Sequence, residues 1–180
     1  MEIKITTKQI LKILYILSWI IFIGLCVETG SFIFNAIYTF FFNPVNASYF
    51  NLESLYAFDS GYFLVMLLIM GIAGVLKAII FYLIVKILHD KKLNLSQPFN
   101  KETGVTIVLL SYLAFGISLF SHMGVKYATW FTSQGVEMPD VQHLRIGGSD
   151  VWLFMGVILF VIAQIFKRGI EIQTENELTI

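Results

Sequence analysis

Cysteine is almost missing from this sequence: Cys26 is the only one in 180 positions, and it sits in an apolar run. A lone thiol excludes an intramolecular disulfide framework and a metal cage built on cysteines. Charge is scarce too, at 13% of residues, and neither sign prevails, because lysine plus arginine and aspartate plus glutamate each total 12. That balance removes bulk attraction to nucleic acid or to an acidic substrate, so no direct nucleic-acid partner is expected. The sequence also lacks G-x-S-x-G, a Walker loop, H-E-x-x-H and any pair of intramembrane aspartates. Enzyme is therefore the least supported class, and no cofactor is expected. His122 and His143, with Asp140 or Glu137, lack the helical spacing of a zinc site, so no metal is expected either.

What is abundant is apolar surface, with 57% hydrophobic and 16% aromatic residues and a mean hydropathy of +0.79. A soluble domain carries about a quarter charged residues, so this surplus must face lipid. Membrane lipid is the first partner the composition implies. A helix rises about 1.5 Å per residue, and about 20 apolar residues cross a core of roughly 30 Å. Four segments meet that test: about 10–30, 61–88, 104–123 and 151–166. None alternates as a barrel strand would, and unpaired backbone is not tolerated in hydrocarbon. The expected fold is all-α, a polytopic membrane protein with a four-transmembrane-helix bundle, forming one membrane domain over 1–180.

The first run has lysines ahead of it, as a signal peptide does, but lacks a small-x-small cleavage site and stays apolar toward Phe42. It reads as a retained span that tilts, bends near Gly30 or extends beyond the membrane, stopped by Asn43-Pro44. Asp59-Ser60 and Gly147-Gly148-Ser149-Asp150 offer helix caps to spans two and four. Lys4, Lys8, Lys12, Lys86, Lys91, Lys92, Lys101, Lys167 and Arg168 share one side, against Lys126 and Arg145 on the other. Both ends and the 89–103 connection are thus expected in the cytoplasm. The aromatic residues of the two opposite connections, 43–60 and 124–149, suit a membrane interface.

Glu28 and Lys77 are the ionisable residues deepest in apolar sequence. From rough cytoplasmic boundaries at Lys12 and Leu88 they stand about 24 and 16 Å up, with side chains leaning toward each other. They form a candidate intramembrane charge pair, read either as a coupling pair for transport or as a structural pair. Gly74 with Ala78, and Ala114 with Ser118, make small-xxx-small faces that permit close helix approach, including that of further copies.

The C-terminal stretch is the most distinctive. Lys167 and Arg168 form a basic exit, followed by Glu171 and then Glu175-Asn176-Glu177-Leu178-Thr179 before Ile180. With Gln97-Pro98-Phe99 ahead of span three, this tail resembles the bacterial DUF2975 family of small four-span membrane proteins. The family's terminus favours Val where Ile180 stands here. The resemblance implies an uncharacterised inner-membrane protein, often encoded near a small helix-turn-helix regulator. Two readings of function follow. The leading one is a non-enzymatic sensor or regulatory interaction protein whose cytoplasmic tail docks on a cytoplasmic regulatory protein. The alternative is a small transporter or channel component using Glu28 and Lys77.

Overall fold

The structure, a computed structural model, describes residues 7–42, 44–90 and 99–177. The chain is all-helical there: α1 (Thr7–Phe41), a 3-10 segment (Pro44–Phe50), the short α2 (Glu53–Phe58), α3 (Ser60–His89), α4 (Lys101–Ser133) and α5 (Ser149–Glu177). Four of these, α1, α3, α4 and α5, are long and apolar enough to cross a membrane. Gln97, Pro98, Lys91, Lys92, Leu178 and Thr179 lie outside the described residues.

Local chemistry sets the helix starts. Asp59 Oδ1 accepts from the main-chain nitrogens of Gly61 (2.7 Å) and Tyr62 (3.0 Å) at the head of α3. Asn100 Oδ1 accepts from Thr103 N at 2.8 Å at the head of α4. Both satisfy donors that a first turn leaves free. α1 passes unbroken through Gly30, so its 35 residues make a helix of about 52 Å that extends beyond a single membrane crossing. α4 and α5 also outrun the expected apolar spans, to Ser133 and Glu177. Hydropathy marks only what lies in lipid; these extensions are held by packing and by polar pairs.

The long helices stand in a row. α1 packs on α3, α3 on α4 and α4 on α5, while α1 and α5 share no packed interface among the described residues. The buried share of each span follows, 44% in α3 and 39% in α4 against 6% in α1 and 11% in α5. Lipid tails are as apolar as leucine, so helix association there depends on close fit. The fit is visible at Gly74, where a Cβ would lie 2.6 Å from Thr29 Oγ1, and at Gly116 beside Leu76. Ser111 Oγ donates to Gly156 O across α4 and α5 at 2.9 Å.

One face of the row carries the start of α1, the end of α3, the start of α4 and the end of α5. We call it the terminal face, and the opposite end the loop face. The largest core lies toward the loop face, where Leu52, Leu55, Phe63, Met66, Phe131, Leu144 and Ile146 are almost fully buried. It joins the 3-10 segment, α2, the upper ends of α1, α3 and α4, and the 134–148 connection into a cap. A smaller core of Ile80, Leu110 and Ile117 lies lower in the row. Counting about 20 residues of α4 from Lys101 through a 30 Å hydrocarbon layer ends near Ser121, so Gly124–Ser133 stands beyond it. Water drives burial in such a cap and is absent from the layer beneath, which accounts for the difference between the two cores. The aromatic residues expected at the interface gather here, with Tyr62 touching Phe131 (5.2 Å between ring centres) and Trp130 (6.2 Å).

Candidate functional site

The 134–148 connection does not lie over the end of the row; part of it folds down into it. Leu144 and Ile146 are completely buried, and Ile146 Cδ1 would sit 2.8 Å from a Cβ at Gly124, with Ile69 Cγ2 at 3.0 Å. Glycine on α4 thus opens the slot that receives Ile146. Arg145, between the two anchors, adopts φ 57°, a left-handed conformation that costs a side-chain-bearing residue about 1–2 kcal/mol. Such a conformation persists where the surroundings over-determine it. Here the buried neighbours do so, with main-chain bonds from Leu144 N to Asp140 O (3.1 Å) and Ile146 N to Val141 O (3.3 Å).

Arg145 is where the two intramembrane charges meet. Lys77 Nζ donates to the main-chain oxygen of Arg145 at 2.7 Å, and the guanidinium Nε of Arg145 lies 3.8 Å from Glu28 Oε2. Glu28 and Lys77 are therefore bridged through the arginine, by its carbonyl on one side and its side chain on the other. Arg145 belongs to the 134–148 connection, as its place in the sequence implies, and what the basic-residue pattern omits is its tertiary packing. The signals available were its flanking Leu144 and Ile146 and the two glycines after it, which mark an apolar segment with a turn and not a solvated loop.

The depth follows from helix registers. Leu76 meets Gly116, and Gly116 is fifteen residues above Lys101, which puts Lys77 about 22 Å above the terminal face and about 8 Å below the opposite edge of a 30 Å layer, whereas Ile146 packs on Gly124, which puts Arg145 at about that edge. α5 begins at nearly the same height, because Ser118 Oγ donates to Ser149 O at 2.7 Å. Below the cluster, Ser18 Oγ donates to Leu14 O, Ser111 is engaged with Gly156 across α4 and α5, Thr103 Oγ1 is buried near the terminal face, and Tyr15 OH bonds His89 Nδ1 at 2.9 Å. The cluster offers ionic recognition and a fixed positive excess. No group of three or more metal-ligating side chains gathers among the described residues.

The tail is the second candidate. α5 carries it as unbroken helix from Ser149 to Glu177, about 43 Å long. Lys167, Arg168, Glu171 and Glu175 are exposed on it. Arg168 Nη1 donates to Glu171 Oε2 at 3.0 Å, so part of the acidic strip is already engaged by the basic exit. Asn176 and Glu177 fall at its last turn, and Leu178 and Thr179 lie outside the described residues. The root of the tail is braced: Phe99 stacks edge-on against Phe166 with ring centres 5.3 Å apart, and a Cβ at Gly169 would lie 2.5 Å from Phe99 Cδ1. The phenylalanine ahead of α4 and the basic exit of α5, two separate sequence features, are thus one contact.

These features define a helical membrane protein of four spans with a packed cap at one face and a helical tail at the other. The family model described as "Protein of unknown function (DUF2975)" matches residues 47–180, about three quarters of the chain. The chain belongs to that family. No curated protein matches it, and no solved structure does.

Proposed function

We propose that the protein is a non-enzymatic sensor of the bacterial cytoplasmic membrane, with both chain ends in the cytoplasm, and that it relays the state of its cap to a regulatory protein docked on the tail. The observation that carries this reading is the continuity of α5. Its first residue is held by Ser118 and follows the Arg145 segment directly, and the same helix ends in the tail. A helix of that length moves as a rod, so a shift of the 144–148 segment reaches Glu175 without a hinge between. Basic residues concentrated at the terminal face support the cytoplasmic assignment. The open row and the few polar groups below the cluster give the transport alternative no continuous lining.

Affinity purification in mild detergent tests the reading. Deleting Glu175–Ile180 is expected to abolish capture of a cytoplasmic protein while leaving membrane insertion and melting unchanged. A scrambled tail of equal charge is expected to fail likewise, since docking depends on order as well as charge. Ile172→Pro breaks the rod but keeps the tail's chemistry; it is expected to retain the partner and lose the response. A scrambled tail that keeps every partner overturns docking, and an unchanged response in Ile172→Pro overturns the relay.

A further inference from the structure

The cluster of Glu28, Lys77 and Arg145 holds two cations and one carboxylate. Asp150, in the first turn of α5, makes no ion pair with either cation among the described residues. The Arg145 side chain is 63% exposed, and its one ionic contact among the described residues is the loose 3.8 Å approach of Nε to Glu28. Both terminal nitrogens of the guanidinium are without a partner among the described residues. Lys77 spends one donor on the Arg145 carbonyl and has others to give. An exposed guanidinium at the layer edge, with both terminal nitrogens open, is placed to take an anion.

We infer that Arg145 and Lys77 bind the phosphate of an anionic phospholipid in the loop-side leaflet. The depth selects the source. Arg145 stands at about the layer edge, because the next residue, Ile146, packs on Gly124, so its guanidinium is within reach of the lipid phosphates, and Lys77, about 8 Å lower, reaches up to the same segment. The charge selects the headgroup, since the excess of one positive charge within the Glu28, Lys77 and Arg145 cluster complements a phosphodiester with no ammonium of its own. The planar guanidinium, anchored on one edge by Glu28, presents its remaining edge to two phosphate oxygens, the geometry arginine favours for this group. Glu28 here orients Arg145 and also limits the site's attraction for anions. The site adds a ligand to the cap's membrane side and stands whether or not the tail docks a partner.

Native mass spectrometry of the full-length protein, released from nanodiscs of equal phosphatidylglycerol and phosphatidylcholine, reads the site directly. The wild type is expected to retain phosphatidylglycerol in preference. Arg145→Gln should reduce that retention about five-fold, the worth of one basic group at an anionic surface, while Arg145→Lys keeps most of it. Glu28→Gln is expected to raise retention, because it removes the opposing charge; this variant carries the test should Arg145→Gln lose its helical circular dichroism. Equal retention of the two lipids overturns the proposal. So does undiminished retention in folded Arg145→Gln, or a Glu28→Gln variant that binds no better than wild type. Displacement of the lipid by millimolar inorganic phosphate assigns the site to a soluble anion and overturns the lipid assignment.

Discussion

Replacing Gly169 by alanine should change sign according to what stands at position 99. In the interior of an exposed helix alanine is favoured over glycine by about 1 kcal/mol, because glycine loses more backbone freedom on folding. In this protein the added methyl would lie 2.5 Å from Phe99 Cδ1, 2.7 Å from Cε1 and 2.8 Å from Cγ, inside the ring's own volume. Forcing that much into a packed contact costs about 1–3 kcal/mol. Gly169→Ala alone should therefore be neutral to destabilising by about 2 kcal/mol. In a Phe99→Ala background the ring is gone, and the same change should stabilise by about 1 kcal/mol. The coupling between the positions is then about 1–3 kcal/mol, well outside the few tenths seen for independent sites. Reversible unfolding in mixed micelles, followed by circular dichroism for the four combinations, measures it. Additive effects would mean that Phe99 does not sit on Gly169, and the brace at the root of the tail would have to be abandoned.

Asp59→Ala should cost about 0.5–2 kcal/mol in the same assay, because one carboxylate oxygen holds two main-chain donors of α3; no loss would remove it as the cap. Gly124→Ala should cost about 1–3 kcal/mol by unseating Ile146, and should raise protease cleavage within 134–148; cleavage at the wild-type rate would show that the slot is not what holds the segment. With Cys26 replaced by serine, single cysteines at Gln134 and Gln173 are expected to label from opposite sides of the membrane, Gln173 from the cytoplasm. Labelling of Gln173 from outside intact cells would refute the orientation inferred from the basic residues.

Much of the architecture was legible in the sequence because membrane spans are written in local terms. The four apolar runs coincide with α1, α3, α4 and α5, and Asp59 caps the second of them as its position before Gly61 suggested. Helix ends were less legible. Hydropathy stops at the lipid boundary, whereas α4 continues to Ser133 because Ala128 and Phe131 are buried in the cap. Glu28 and Lys77 could be singled out, since charge amid apolar residues is conspicuous. Arg145 was easier to miss, because assigning basic residues to connections treats every connection as solvated, and its apolar neighbours Leu144 and Ile146 gain their meaning only from the packing that seats them. Phe99 and the tail were each noticed; their contact depends on the pairing of α4 with α5, which no local pattern encodes.

The row of helices has a bearing on biosynthesis. Each long helix packs on the long helix made immediately before it, α3 on α1, α4 on α3 and α5 on α4. A chain leaving the ribosome can therefore add spans one at a time, every newcomer finding its neighbour already inserted, with no long-range closure to await within the bilayer. The cap is different. Leu52 and Leu55 share a core with Leu144 and Ile146, so it cannot close until about 90 further residues have been translated and inserted. Until then the buried faces of the 3-10 segment and α2 stay open to solvent. Mutations in the 134–148 segment should accordingly harm maturation and yield in cells more than they harm the finished fold, whereas those between adjacent helices should act from the moment the second helix enters the membrane.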